Sequence, residues 1–445
     1  MSRNRRALLV GLTAASVGVI YGYDLSNIAG ALLFITDQFH LTIGQQELVM
    51  TAVAVGEIAG ALGGGVLANA IGRKRSMVLV AAGYTVFAVL AAMSVSVPML
   101  LAARLLLGVT IGVSVVVVPV FIAESAHAAW RGSLLVAYQV ATVTGIIAGY
   151  LAAYALADSH SWRVMLGLAA APAALVTLLV LRMPDTARWY LSKSRVADAR
   201  TVLRRVEGEA DVEREITEIL GALSEERGAA LAEMLRRPYL RATVFLVGLG
   251  FLIQITGINA IVYYSPRLLQ AMRFTGNFAL LVVPALIQVA GLIAVGVSLV
   301  LVDRLGRRPI LLTGIGVMIA ADAVLVGAGD SGAAPMIGVA GVLLFTVGFT
   351  FGFGALVWVY AGESLPSRLR SIGSSAMLTA NLIGNALVAA LFLSLLQTVG
   401  SSITFAALGV FAVVAFVFVY RLAPETKGRQ LEEIRHFWEN GGRWA

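Results

Sequence analysis

Twelve long apolar runs dominate this chain and limit what it can fold into. A helix needs about 20 consecutive apolar residues to span the hydrocarbon core of a bilayer. Of the 445 residues, 59% are hydrophobic and only 13% are charged, against roughly 25% charged residues in an average soluble domain. The sequence therefore predicts an all-α membrane protein with twelve transmembrane helices. The runs begin near Ala7, Gly44, Ser76, Met99, Leu134, Trp162, Leu240, Asn277, Pro309, Ala334, Ile372 and Ser401.

Lys and Arg residues are distributed unevenly around the predicted spans. Of the 33 in the chain, only Arg104 lies well inside a span, and only Arg163, Arg267 and Arg273 fall in loops that follow odd-numbered spans. Because Lys and Arg collect on the cytoplasmic side of membrane proteins, we expect both termini to be cytoplasmic. The net charge of +8 then reflects this topology and anionic lipid rather than nucleic acid binding.

The polar residues do not form the patterns of an enzyme. The chain has no cysteine, which excludes disulfides, thiol catalysis and Cys-based metal sites. Its four histidines fall in loops and at span ends, with no metal-ligand spacing and no nucleophilic triad. The sequence therefore predicts neither an enzyme nor a bound metal or cofactor.

The chain divides into two related halves. GVLANAIGRKRSMVLV in the first half is matched by VSLVLVDRLGRRPILL in the second, FIAESAHAAWRG by YAGESLPSRLRS, and MPDTARWYL by APETKGRQL, in the same order and at nearly constant spacing. Such internal duplication is common in transporters. We therefore expect an N-terminal six-helix bundle at 1–183, an intracellular helical domain at 184–238, a C-terminal six-helix bundle at 239–421 and a cytoplasmic tail at 422–445.

Asp24 is the one ionisable residue in the first apolar run. An acid at hydrocarbon depth costs several kcal/mol unless it is paired, hydrated or protonated, and such acids usually mark ion pathways. Arg104 is the natural partner, because it is the basic residue well inside a span. Asp24 is thus either a proton site or the acid of a permanent salt bridge. Two further acids within spans, Glu57 and Asp322, have no obvious cation on their own helices.

Charged residues recur at the predicted cytoplasmic ends of both halves. Arg and Lys clusters can hold carboxylates and helix C-termini of neighbouring helices in one conformation only. We interpret them as a cytoplasmic latch, in which Glu124 pairs with Arg131, and Glu363 with Arg368 or Arg370. The alternative is that they anchor helix ends at the membrane surface. The latch candidates are Arg73, Glu124, Arg131, Arg188, Asp303, Arg307, Glu363 and Arg370.

Several ordered motifs resemble the sugar porter family of the major facilitator superfamily over nearly the whole chain. They include GYDLSNIAG, PVFIAESAHAAWRG, QITGINAIVYYSP, DRLGRRP and PETKGRQLEEI. The TGINAIVYY and PETKG segments are specific to sugar porters, whereas the GRK and GRR loops indicate only the superfamily. The resemblance implies two six-helix bundles, an intracellular helical domain and transport of one monosaccharide, a hexose or pentose, by alternating access.

The same resemblance implies a set of sugar-binding residues. Amide side chains both donate and accept hydrogen bonds, as sugar hydroxyls require, and an aromatic face covers the C–H side of a pyranose. An interhelical hydrogen bond is the alternative role for each amide. The residues that match the family's positions are Gln139, Ile146, Gln254, Asn259, Tyr263, Tyr264, Trp358 and Asn381.

The seventh predicted span requires a distortion. In a regular helix Gln254 and Asn259 point about 140° apart, so both can face one cavity only if the helix is broken. We predict the break at Thr256 and Gly257. Some positions depart from the family pattern and suggest altered sugar specificity or a weaker N-terminal latch: Ile253, Gly291, Thr350 and Leu382 in spans, and Asn69 with Ala70 in the second-to-third loop.

The resemblance also addresses energy coupling. Symporters of the family have an aspartate at the position of Asp24, whereas the glucose facilitators lack that acid. The sequence therefore predicts sugar/proton symport. The alternatives are an uncoupled sugar facilitator, a polyol or inositol transporter, and a sugar sensor that does not transport. We expect a monomer in the inner membrane of a prokaryote, with sugar, proton and membrane lipid as its partners.

Overall fold

All regular secondary structure in the described part of the chain is helical. The computed structural model describes residues 13, 16–125, 128–206, 212–226, 231–330, 335–429 and 431–444. In the first part the helices are α1 (Val17–Phe39), α2 (Ile43–Ile71), α3 (Arg73–Ala92), α4 (Val97–Ser125), α5 (Ala128–Ala155), α6 (Trp162–Leu168), α7 (Ala170–Leu181), α8 (Ala187–Ser192), α9 (Val196–Val206), α10 (Val212–Glu226) and α11 (Leu231–Met234). They continue as α12 (Leu240–Ile255), α13 (Ile258–Ala271), α14 (Val283–Leu305), α15 (Arg307–Asp330), α16 (Pro335–Phe349), α17 (Ala355–Glu363), α18 (Ser367–Thr398), α19 (Gly400–Leu422) and α20 (Leu431–Glu439).

The transmembrane prediction is confirmed. Within the described residues, eleven helical segments are long and apolar enough to cross a membrane. The remaining long helix, α5, has 28 residues and contains the predicted span that starts near Leu134. The start of the first predicted run at Ala7 lies outside the described residues, and α1 begins at Val17.

Two compact units make up the chain. The first comprises residues Met1–Leu41 and Leu48–Arg227, and the second comprises Thr42–Glu47 and Gly228–Ala445. Helices α8 to α10, which belong to the predicted intracellular domain, group with the first unit, whereas α11 groups with the second.

Close helix packing in the first unit depends on glycine pairs spaced four residues apart. On α1, Gly18 and Gly22 face α5, where a Cβ added at Gly22 would overlap the Thr142 carbonyl group. On α5, Gly145 and Gly149 face α1 in the same way. Small residues at this spacing let transmembrane helices approach closely without a side chain between them. The glycine pairs therefore fix α1 directly against α5.

A second pair of helices in the first unit uses the same device. Gly56 and Gly60 on α2 face α4, and Gly108 and Gly112 on α4 face α2. A Cβ at Gly112 would overlap the carbonyl oxygen of Glu57. Helix α4, which carries Arg104, is thus packed closely against α2 between Leu105 and Val116.

An acidic side chain caps the start of α3. The Asp185 Oδ1 atom accepts hydrogen bonds from the backbone N–H groups of Arg73 at 3.1 Å and Lys74 at 3.3 Å. The first N–H groups of a helix lack partners within the helix and carry partial positive charge, so a carboxylate stabilises that end. Gly72, just before the helix, has φ +104°, and a Cβ there would collide with the Asp185 carboxylate.

The second unit repeats this arrangement at α15. The Glu425 carboxylate accepts hydrogen bonds from the backbone N–H groups of Arg307 and Arg308, each at 3.0 Å. Gly306 precedes the helix with φ +99°. In each half, the carboxylate of one repeated motif therefore caps the helix that begins in another repeated motif.

The C-terminal helix α20 packs on the second unit through its last turn. The Tyr239 hydroxyl group donates a 3.0 Å hydrogen bond to Glu439, which also forms a 2.7 Å ion pair with Arg435. The Trp438 ring is buried, with its centroid 5.5 Å from that of Phe245 on α12. The end of the chain is thereby fixed to the first turns of α12.

Candidate functional site

A buried ion pair joins α1 to α4. The Arg104 Nη1 atom donates a 2.6 Å hydrogen bond to Asp24 Oδ1. The two residues are 3% and 7% exposed. Asp24 Oδ2 and Arg104 Nε form no hydrogen bond within the described residues, so the pair is held by a single contact. The pairing expected from the sequence is therefore present, with one short contact between the two side chains.

Hydrogen bonds on the neighbouring face fix the rotation of α1. The Asn27 side chain donates a 2.6 Å hydrogen bond to the Met165 carbonyl oxygen, and the Tyr23 hydroxyl group donates one of 3.2 Å to the same atom. Tyr23 and Asn27 are one turn apart and so lie on the same face of the helix. These hydrogen bonds to α6 fix the rotation of α1 so that the Asp24 side chain points towards α4.

The sugar-site candidates of the first unit lie on α5. Gln139 is half-buried and Ile146 is buried. Seven residues correspond to nearly two turns, so the two side chains lie on one side of the helix. The backbone nitrogen of Ile146 lies 2.9 Å from the position that a Cβ at Gly22 would occupy. Ile146 therefore packs against α1 at Gly22, which precedes Asp24 by two residues.

The predicted break in the seventh span is confirmed. Helix α12 ends at Ile255 and α13 begins at Ile258. Between them, Gly257 has φ +102°, a backbone conformation that glycine adopts readily and residues with a Cβ rarely adopt. The Thr256 hydroxyl group donates a 3.0 Å hydrogen bond to the Ile253 carbonyl oxygen at the end of α12. The break changes the direction of the residues that follow it.

Four polar side chains on α12, α13 and α18 form what we call the amide cluster, together with the Tyr263 hydroxyl group. Gln254 Nε2 donates to Asn381 Oδ1 at 3.2 Å. Asn259 Nδ2 donates to Asn385 Oδ1 at 2.8 Å, and Asn385 Nδ2 donates to the Tyr263 hydroxyl oxygen at 3.1 Å. Both sides of the break thus reach the same helix, α18.

Asn385 was missed by the sequence analysis. It lies four residues after Asn381 on α18 and therefore on the same face of that helix. This spacing is the signal that identifies it. Gln254 Oε1 makes no hydrogen bond within the described residues, so the amide cluster retains a free acceptor.

Two aromatic candidates are not part of the amide cluster. The Tyr264 hydroxyl group donates a 2.7 Å hydrogen bond to the Ala389 carbonyl oxygen, and its buried ring stacks on Phe392 with centroids 5.8 Å apart. Trp358 lies on α17 and is 45% exposed, and among the described contacts none joins it to the cluster. Tyr264 thus holds α13 against α18, whereas Trp358 offers a free aromatic face.

The latch candidates of the first unit meet at Glu124. Arg73 Nε lies 3.1 Å from Glu124 Oε2, and Arg188 Nε lies 3.8 Å from Glu124 Oε1. The Thr186 hydroxyl group donates a 2.6 Å hydrogen bond to Glu124 Oε2. The partner expected from the sequence was Arg131, whose side chain lies outside the described residues. The described contacts connect Glu124 to the GRK loop and to α8.

The latch candidates of the second unit form fewer contacts. The Asp303 Oδ1 and Arg307 Nη1 atoms are 3.3 Å apart across the junction between α14 and α15. Within the described residues, no ion pair joins Glu363 to Arg370, and the side chain of Arg368 lies outside them. Burial lowers the pKa of Arg370, while the charge of Glu363 acts in the opposite direction.

Comparison with known proteins identifies the family. The profile of the family described as "Sugar (and other) transporter" matches residues 10–438. The chain belongs to this family. The resemblance to sugar porters of the major facilitator superfamily is thereby confirmed, and this family member is a transporter rather than an enzyme.

Relatives of this sugar transporter family member support the assignment along the whole chain. The galactose-proton symporter of Escherichia coli K12 is 34% identical over 441 residues, which cover 97% of this chain and 94% of the relative. The arabinose-proton symporter of the same organism is 32% identical over 439 residues, 97% of this chain and 93% of the relative. A structure of the xylose transporter from E. coli has the same fold, with a TM-score of 0.85 at 23% identity over 95% of this chain and 99% of that one.

Proposed function

We propose that this protein is a secondary active transporter that carries one monosaccharide, a hexose or a pentose, together with a proton by alternating access. The observation that carries the proposal is the buried Asp24 carboxylate 2.6 Å from Arg104. An uncoupled facilitator needs no proton-binding acid, whereas an ionisable group at that depth is costly and usually functional. The names of the galactose-proton and arabinose-proton symporters support the same function.

In the proposed coupling, Asp24 binds the proton and Arg104 responds to it. The ionised pair attracts strongly in surroundings of low dielectric constant. When Asp24 takes up a proton, the charge attraction is lost and only a weak contact with Arg104 is left. The proton thus changes the free energy of the contact between α1 and α4. A ligand can shift a conformational equilibrium only through such a difference between states.

Glycine packing extends this change to the sugar residues of the first unit. Helix α1 lies directly against α5 at Gly22, next to Ile146. A shift of α1 after protonation therefore moves the surroundings of Ile146 and, nearly two turns earlier, Gln139. In the proposal, these two residues contact the sugar, and its binding is thereby linked to the protonation of Asp24.

The amide cluster provides the proposed sugar contacts of the second unit. Its side chains both donate and accept hydrogen bonds, which matches the chemistry of a sugar hydroxyl group. Exchanging an amide–amide hydrogen bond for an amide–hydroxyl bond changes the free energy little, because one bond replaces another. Trp358 supplies an aromatic face, and Tyr264 holds α13 in position. The proposed sugar contacts of this unit are Gln254, Asn259, Tyr263, Trp358 and Asn381, to which the structure adds Asn385, whereas the buried Tyr264 supports them from behind.

The charged residues at the helix ends are proposed as a cytoplasmic latch. Glu124, which binds Arg73 and Arg188, is its centre in the first unit, and Glu363 is the corresponding acid in the second. Breaking and forming such contacts gives each conformation its own set of ion pairs. The excess of Lys and Arg at these ends supports cytoplasmic termini. We further propose a monomer in the inner membrane of a prokaryote.

Proteoliposomes containing the purified protein test the proposed symport. Addition of sugar outside should draw protons inward and raise the external pH, and a protonophore should abolish uphill accumulation. Galactose, arabinose, xylose, glucose and inositol, tested separately, identify the substrate. Sugar that equilibrates with no proton movement would establish a facilitator instead. A panel in which inositol is transported and the monosaccharides are not would correct the substrate class.

A further inference from the structure

Asp322 on α15 is a buried acid that the proposed transport mechanism does not use. It is 2% exposed, and neither carboxylate oxygen forms a hydrogen bond within the described part of the chain. The cations nearest to it along the packed helices α15 and α19 are Arg308 and Arg421, each at the opposite end of its helix. An ionised carboxylate without a partner in apolar surroundings is costly, so the group requires a proton or a cation.

The carboxyl group faces a cavity of about 360 Å³ between α15 and α19. Apart from Asp322, the walls are apolar side chains and a glycine. Several of the wall residues are exposed on the surface of spanning helices, so the cavity opens towards the bilayer. The wall residues include Ile319, Ala323, Val326, Phe405, Ala406 and Val410.

Glycine at position 409 leaves space beside the carboxyl group. A Cβ added at Gly409 would lie 3.2 Å from the Asp322 Cβ atom, a tight contact. Asp322 lies eight residues before the end of α15 at Asp330, which places it about 12 Å from that end at 1.5 Å per residue. A polar group on an alkyl chain that lies among lipid tails can reach this depth.

We propose that this cavity binds a lipophilic amine, an apolar molecule with a single ammonium group, which comes from the bilayer and pairs with Asp322. The cavity volume falls within the range of roughly 300–1,000 Å³ that is usual for small-molecule sites. One carboxyl group among apolar walls matches one ammonium group on an apolar body. A sugar would leave most of its hydroxyl groups without partners there, and a fatty acid would bring a second negative charge.

The binding test uses the full-length protein in lipid nanodiscs and three probes of equal chain length: dodecylamine, dodecanol and dodecanoate. Native mass spectrometry counts the bound molecules. Wild type should retain one dodecylamine and neither of the other probes. Asp322→Asn, which keeps the shape of the side chain, should weaken amine binding about tenfold or more, because a charge-assisted hydrogen bond is lost.

Ala406→Phe is the matched variant that fills the cavity and keeps the carboxyl group. It should weaken amine binding as well. Sugar counterflow in both variants shows that they are folded, and failure of the proposed symport would leave the binding result unaffected. Equal binding of dodecylamine to wild type and Asp322→Asn, or equal retention of all three probes by wild type, would overturn the proposal.

Dicyclohexylcarbodiimide provides a second measurement, because this apolar reagent modifies acids in contact with lipid. The carboxyl oxygen of protonated Asp322 bonds to the central carbon of the reagent, and the carboxyl proton moves to one nitrogen. The acyl group then leaves that oxygen and bonds to the other nitrogen, so that nothing is released. Peptide mapping should find the adduct at Asp322, and dodecylamine should slow its formation. No adduct at Asp322, or the same rate with and without the amine, would contradict the assignment.

Discussion

Arg104 Nη1 donates a 2.6 Å hydrogen bond to the Asp24 carboxylate, and both residues are almost completely buried. The chain therefore places a charge pair where each partner offsets the cost of burying the other's charge. Asp322, on α15, has no such partner within the described residues. Because Asp24 has a cationic partner and Asp322 has none there, the same substitution at each position separates the role of the ion pair from that of a buried acid.

Asp24→Asn should abolish proton-driven accumulation of sugar and preserve exchange of sugar across the membrane. The amide keeps the shape of the carboxyl group and removes the proton site. Uptake driven by an imposed pH gradient, measured beside counterflow without a gradient, separates the two activities. Asp322→Asn is the control, since it removes another buried acid and should retain uphill uptake. Persistence of uphill, protonophore-sensitive uptake in Asp24→Asn would remove Asp24 from the coupling mechanism.

Arg104→Met should destabilise the protein by about 3–5 kcal/mol, because it leaves the Asp24 carboxylate buried without its cation. The double variant Asp24→Leu with Arg104→Met replaces both charges by apolar groups and should recover most of that loss. Thermal unfolding in detergent measures both variants. We expect the double variant to remain uncoupled although it is stable. If the double variant is no more stable than Arg104→Met, the loss in Arg104→Met does not come from leaving one buried charge without its partner.

Gly257→Ala should lower stability by about 1–2 kcal/mol, because φ +102° is unfavourable for a residue with a Cβ atom. The new Cβ would also lie 2.7 Å from Leu408 Cδ1. The substitution should weaken sugar binding as well, since the break aligns the amide cluster on both of its sides. Gly296→Ala is the control, because a Cβ there meets no atom within 4 Å and should be neutral or slightly stabilising. Unfolding temperature and sugar affinity are the measurements, and equal effects of both substitutions would contradict this account.

Much of the fold could be predicted from the sequence because the bilayer imposes strict lengths and polarity on each span. The helix break could be predicted because Gly257 lies between two amides that a regular helix separates. The pairing of Asp24 with Arg104 could be predicted because so few charged residues lie within spans that one acid and one base identify each other.

Contacts that depend on helix rotation could not be predicted in the same way. Asn385 was missed because nothing local shows which amides of α18 face α13. Glu124 was expected to bind Arg131, which is close in sequence, whereas its described cationic partners are Arg73 and Arg188. Those contacts depend on how the ends of three segments meet after packing, and a surplus of arginines leaves several pairings equally reasonable from sequence alone.

Asp185→Asn and Glu425→Gln should have similar effects, because each removes the charge that caps one repeated helix start. The loss should be about 0.5–1 kcal/mol for either substitution, as expected for charge at a helix N-terminus. The two caps share no described hydrogen-bond partner, so the double variant should show the sum of the single effects. Chemical unfolding of the three variants checks this. A large effect at one cap and none at the other would refute the structural equivalence of the repeated motifs.

The attachment of α20 should depend on pH through Glu439. The hydrogen bond from Arg435, with that from Tyr239, holds the pKa of Glu439 below its ordinary value, and partial burial opposes this effect. Because the folded pKa is lowered, the stabilisation is complete above the ordinary value of about 4.3 and is lost as the pH falls through the lowered folded pKa. The effect should not exceed about 1 kcal/mol, since the pair is partly exposed. Hydrogen exchange of amides 431–439, compared at each pH between wild type and Glu439→Gln, measures it. Wild type should be better protected at neutral pH and should converge with the variant in acid, whereas a constant difference at all pH values would exclude the ionised Glu439 as the group that holds the helix.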